Sequence, residues 1–164
     1  MNRYYEGIEY AKLTQELSQQ ELFFLFGDNY EFFVPRTIIE KFGEPIEKRQ
    51  WEFWHDVDRI GTWRFAQGFE IDIGTQNDFP ILVGYVYFSP ECELILSSGI
   101  RIGSSFDEVH EAYGELINPL MTTDSRIAIG QSIYFLTNND IVQSIYINTW
   151  DHDYNRFFIP GEQT

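Results

Sequence analysis

Two short runs carry the residue types that hold metal ions or exchange protons: His55-Asp56-Val57-Asp58 and Asp151-His152-Asp153. A divalent cation needs deprotonated ligands converging from several elements, and neither run has a second histidine one helical turn away. If the two runs met in the fold, their four aspartates and two histidines could share one ion. Read separately, they are solvated Asp-rich turns, and no metal or other cofactor is expected.

Nucleophilic chemistry finds less support. Cys92 lies in Ser89-Pro90-Glu91-Cys92-Glu93, where acidic neighbours raise the thiol pKa and suppress the thiolate. No serine sits in a Gly-x-Ser-x-Gly elbow. The glycines at Gly99 and Gly103 have no following lysine to reach a phosphate. Glu40 with Glu44, and Glu111 with Glu115, have the i, i+4 spacing of a carboxylate pair. They straddle the ends of short helices, which suits a solvated surface, and catalysis is not expected.

The densest stretch is Trp51-Glu52-Phe53-Trp54-His55-Asp56-Val57-Asp58, continued by Trp63-Arg64-Phe65, and it holds three of the four tryptophans. Two readings stand side by side. In one, Trp51, Phe53 and Phe65 fill the core at strand spacing. In the other, Trp54 and Trp63 form a flat apolar anchor ringed by Glu52, Asp56 and Asp58, which fits a basic protein partner. With Trp51, these make up the six residues of the candidate partner-binding site.

Bulk charge points the same way. The chain of 164 residues has 26 acidic and 11 basic side chains, a net charge of −15. From Trp51 onward there are 17 Asp and Glu against 5 Lys and Arg, a balance of −12. Such a field repels nucleic acid and anionic lipid and speeds encounter with a basic partner; it also serves solubility alone. Aromatics make up 18% of the chain, more than one modest core consumes. A single cysteine forbids an intrachain disulfide. No apolar run has the length of a membrane span, and the start MNRYYEGIEYAKLTQEL lacks a signal-peptide pattern, so a cytoplasmic location is expected.

The elements that must position these residues follow from periodicity. Glu6 to Glu21 carries Ile8, Ala11, Leu13 and Leu17 at the spacing of an amphipathic helix. Leu22 to Phe33 reads as an aromatic run of short strands or a strand and a loop, broken by Gly27-Asp28-Asn29. An internal repeat follows. Ile38-Ile39-Glu40-Lys41-Phe42-Gly43-Glu44-Pro45-Ile46 aligns with Val109-His110-Glu111-Ala112-Tyr113-Gly114-Glu115-Leu116-Ile117. Each copy predicts a short helix whose aromatic packs inward and whose glycine stops it. Pro35 suits the first turn of the first, and Ser105 to Glu108 a capping box for the second. Strands are predicted over 68–73 and 81–88 after the first copy, and over 132–136 and 141–147 after the second, with 137–140 as a hairpin connection. The residues from Trp51 to Arg64 read as an insertion.

The run from Gly99 to Val109, followed by Ala112-Tyr113-Gly114-Glu115, resembles the repeat unit of the beta-lactamase inhibitory protein-like group. The same unit recurs in small outer-membrane assembly lipoproteins. The resemblance implies tandem copies of a helix and a strand meander, and a role in binding proteins.

The expected organisation is an α+β chain. An N-terminal helix and aromatic lead-in (1–33) precede one repeat with an aromatic insertion (34–98) and a second with a tail (99–164). The two copies of a short helix plus antiparallel meander are expected to share one sheet or pack as two units. The expected function is a protein-binding inhibitor of the immunity-protein type, neutralising a cognate basic bacterial toxin of the nuclease kind. A structural or assembly module and a metal-dependent enzyme built on the His-Asp runs are the rival expectations.

Overall fold

Apolar residues at helical spacing open the described part of the chain. The computed structural model describes residues 17–18, 20–22, 24–26, 35–51, 59–76, 79–130, 132–148, 150–151 and 156–157. Residues 17–18, 20–22 and 24–26 are helical and form α1. Ser18, Glu21, Leu22 and Leu25 fall at i, i+3, i+4 and i+7 and are buried, while Phe24 is 54% exposed. This corrects the expectation of strand or loop at the start of the aromatic run, residues 22 and 24–26. Leu22, Leu25 and Phe26 lie on one stripe of a helix rather than on one face of a strand. The predicted helix from Glu6 lies outside the described residues up to Glu16, as do Gly27-Asp28-Asn29 and the run to Phe33.

Helix α2 spans Pro35–Phe42 and begins on the proline, whose missing N–H has no intrahelical partner to lose there. The Gly43 N–H closes it by donating to the Ile39 carbonyl at 2.7 Å. Phe42 packs edge-on against Phe26 and Phe69, at 5.7 and 4.9 Å. Helix α3 spans Phe106–Tyr113 and starts with the predicted capping box. The Glu108 N–H donates to Ser105 Oγ at 3.1 Å, and the Ser105 N–H donates to Glu108 Oε1 at 3.0 Å. Tyr113 at its end is buried against Phe135 at 5.5 Å.

The two stop glycines differ. Gly43 has φ +86° and open space around a hypothetical Cβ. Gly114 combines φ 47° with ψ −115°, outside the left-handed basin that asparagine or aspartate tolerate. Gly43→Ala should therefore cost about 1 kcal/mol, and Gly114→Ala about 2 kcal/mol or more. Thermal melts should place Gly114→Ala below Gly43→Ala, and both below the parent. Curves that overlay the parent would remove the glycines from this role.

Seven strands form one antiparallel sheet. They are β1 Glu47–Trp51, β2 Arg59–Arg64, β3 Phe69–Gln76, β4 Phe79–Phe88, β5 Arg126–Ile129, β6 Ile133–Asn138 and β7 Ile141–Asn148. The order is β1-β2-β3-β4-β7-β6-β5. Each meander runs toward the centre and the two meet where Val86 pairs with Ile147 and Phe88 with Ile145. The strands predicted from sequence are β3, β4, β6 and β7. The insertion expected from Trp51 to Arg64 instead holds β2, and β1 and β5 are strands that the sequence pattern does not predict. Their composition is too polar or too short to announce a strand, and pairing supplies the preference. A small ribbon of β8 Trp150–Asp151 and β9 Arg156–Phe157 follows.

Alternation along the strands sorts their residues onto two faces. Phe69, Ile71, Val86, Phe88, Phe135, Ile145 and Ile147 line one face and are at most 1% exposed. α1, α2 and α3 pack on this face through Phe26, Phe42 and Tyr113. Asn139 and Asp140, at φ 52° and 61°, make the β6–β7 turn, as the short polar side chains there allow. That hairpin seats α3: the Phe106 N–H donates to the Asp140 carbonyl at 2.7 Å and the Gly103 N–H to the Val142 carbonyl at 2.8 Å. Both sheet edges are blunted. Glu47, Lys48 and Arg49 put charge on β1, while Ile117 and Thr123 bridge to Ile129 and Arg126 of β5. Among the described residues, no helix is long and apolar enough to cross a membrane.

Candidate functional site

Of the six residues singled out for partner binding, Glu52, Trp54, Asp56 and Asp58 lie outside the described residues. Trp51 pairs with Ile60 and Trp63 with Lys48, so the ribbon separates the two tryptophans by three pairs, about 10 Å along the strand. Trp63 is half-buried and packs against the core, with the Lys48 ammonium 4.4 Å above its ring. Phe65 does fill the core: it is 1% exposed and stacks on Phe69 at 4.7 Å.

Asp151 pairs through its backbone with Arg156, while His55, His152 and Asp153 are outside the described residues. Among the described residues, no three His, Cys, Asp or Glu gather as a metal site would require. Burial pushes the Cys92 thiol up to about 11, and the Glu93 charge adds to that, so it is protonated at neutral pH. Glu40, Glu44, Glu111 and Glu115 are exposed.

Among the described residues, one carboxyl is buried. Glu21 of α1 is 4% exposed and accepts the Ser97 N–H at 3.1 Å and the Ser97 hydroxyl. The next residue, Ser98, shares a hydrogen bond of 2.9 Å with the Tyr113 hydroxyl, so this loop ties α1 to α3. Burial raises the Glu21 pKa against the two Ser97 hydrogen bonds that lower it. The folded state therefore holds the Glu21 proton more tightly than the unfolded chain. Stability from this group is complete below about pH 4.3 and is lost as pH rises through the raised folded value. Glu21→Gln should remove that loss, so wild type should weaken relative to the variant as pH climbs from 4 to 7. A difference in denaturant midpoint that stays flat over this range would reject the account.

What the fold does assemble is the second face of the sheet, away from the helices. On β1 to β3 it is ionic. Arg49 lies 3.4 Å from Glu47 and 3.6 Å from Glu70, and Arg64 lies 3.7 Å from Glu47. Arg49, Arg64 and Glu47 are exposed and Glu70 is half-buried, so these pairs contribute little stability. Toward the centre the face turns aromatic. Tyr87 pairs with Tyr146 across β4 and β7, rings 4.7 Å apart, and Tyr146 pairs with Tyr134 on β6. Burial, followed by the neighbouring Tyr146 and Glu70, raises the Tyr87 pKa.

Beyond them Met121, Arg126, Tyr134, Leu136 and Tyr146 line a groove of about 290 Å³. The 118–122 loop at its rim is held by buried Asn118. The Asn118 N–H donates to the Ala128 carbonyl at 2.7 Å and its Nδ2 to the Gly130 carbonyl at 3.2 Å. Its Oδ1 accepts the Leu120 N–H at 3.0 Å. This loop holds Leu120 at 85% exposure. No protein family, characterised protein or solved structure matches the chain. The second face thus offers half-exposed tyrosines, a groove walled by apolar and aromatic side chains around Arg126, and a fixed exposed leucine.

Composition and residue spacing do not single out this face. The available signal was Ile133-Tyr134-Phe135-Leu136, apolar on both sides of the strand where a half-solvated strand alternates.

Proposed function

We propose that this protein is an inhibitor of the immunity type, which binds a basic bacterial toxin domain of the nuclease kind and occludes its active site. The observation that carries the reading is the unequal treatment of the two sheet faces. One is covered by helices, and the other keeps Tyr87, Tyr134 and Tyr146 half-exposed beside the groove. A net charge of −15 supports a basic partner, since opposite fields raise the association rate while buried aromatics slow dissociation. Trp51 of β1 and Glu52, Trp54, Asp56 and Asp58 of the segment that follows it are proposed to extend the contact at the sheet edge and steer the approach, and Trp63, half-buried against the core, to support the β1–β2 ribbon from behind. The two meanders meeting at β4 and β7 support a tandem arrangement of two helix-plus-meander copies. A cytoplasmic setting suits an inhibitor of an intracellular toxin.

A basic nuclease domain, sought among the proteins encoded beside this one, is the material for the test. Equimolar addition should abolish nuclease activity, and cross-links should fall on the second sheet face or the β1–β2 ribbon. An acidic or neutral partner, or cross-links confined to the helical face, would remove the proposal.

A further inference from the structure

The groove carries a charge of the wrong sign for a surface that only collects cations. Arg126 is half-buried on its wall. Its Nε donates to the Met121 carbonyl at 3.0 Å, and its guanidinium lies 5.9 Å from the centre of the Tyr134 ring. The chain holds 11 cationic side chains against 26 acidic ones, and the other arginines on this face are paired with Glu47 and Glu70. Among the described residues, Arg126 has no carboxylate within ion-pair distance. One edge of its fork is thus fixed, leaving the terminal nitrogens as donors in the geometry that matches a carboxylate. The surrounding walls, Met121, Tyr134, Leu136 and Tyr146, are apolar or aromatic.

We infer that the groove receives a carboxylate carried on an apolar body: a glutamate or aspartate of the partner flanked by an apolar residue. This rests on the protein-binding reading above and adds what sits in the groove. The long-range field draws a basic partner, and Arg126 then selects one that places an acidic group at this point. Pairing attraction at long range with a local carboxylate requirement discriminates among basic partners of similar charge.

The full chain, isotope-labelled, can be titrated with 3-phenylpropanoate and with 3-phenylpropylamine, followed by amide resonances. The carboxylate should shift Met121, Arg126, Tyr134 and Tyr146 and the amine should not, although net charge alone favours the amine. Arg126→Gln should weaken the carboxylate at least about tenfold, the scale of a lost charge-assisted hydrogen bond. Amine binding as strong as carboxylate binding overturns the inference without any variant. Equal affinity in wild type and Arg126→Gln also overturns it, with unshifted resonances elsewhere confirming the fold. A partner that binds both forms equally would reject the groove's role and leave the inhibitor reading standing. A protein that inhibits no basic nuclease but still selects the carboxylate would do the reverse.

Discussion

Gly68→Ala should be the most damaging small substitution in the described chain, lowering stability by about 3 kcal/mol or more. Gly68 ends the β2–β3 turn at φ +91°, where any Cβ is strained. The new atom would also stand 2.8 Å from both Cα and N of Cys92 and 3.0 Å from the carbonyl carbon of Glu91. Those are backbone atoms, so no rotamer relieves the clash. The Gly68 carbonyl accepts the Ser89 N–H at 2.9 Å and the Ser89 hydroxyl at 2.7 Å, and the Cys92 N–H donates to the Ser89 carbonyl at 2.9 Å. Moving the turn would break this link between β3 and the chain leaving β4. For a chain of this length the melting temperature should fall by about 6–12 °C. Gly43→Ala, strained in φ but in open space, is the control that isolates the contact term. If the two variants melt together, the close approach at Cys92 contributes nothing.

The second large effect is expected in partner binding. Tyr134→Ala should speed dissociation roughly thirtyfold, the loss of about 2 kcal/mol that removal of a central aromatic anchor produces. Leu120→Ala should give a smaller increase with no change in melting, because Leu120 is 85% exposed and the fold does not depend on it. Association should respond to different residues. Replacing Asp56 and Asp58 together by Asn should slow the on-rate, and raising salt should slow it steeply, since exposed charges are screened over about 8 Å at physiological ionic strength. Surface plasmon resonance at two salt concentrations separates the two rates. A salt-insensitive on-rate, or an unchanged off-rate for Tyr134→Ala, would remove steering or anchor respectively from the proposed interface.

The sequence by itself determined the pieces whose causes are local. Capping at Ser105 and Glu108, the first-turn proline at Pro35, the stops at Gly43 and Gly114, and the turn at Asn139-Asp140 each depend on atoms a few residues apart. β3, β4, β6 and β7 were legible because their apolar residues recur at strand spacing or run continuously. The charge, and the chance of a basic partner it brings, is a sum over residues and needs no fold. Tertiary structure decided the rest. It made the start of the aromatic run, residues 22 and 24–26, helical, because only a packed surface chooses which of two periods is buried. It turned Arg59–Arg64 from insertion into β2, since pairing with β3 supplies what its composition lacks. It also joined Met121, Arg126, Tyr134 and Tyr146 into one groove, residues whose chemistry is unremarkable until β5, β6 and β7 lie side by side. The proposed contact surface depends on strand register and on which face carries α1, α2 and α3, and neither is written in the spacing of any one segment.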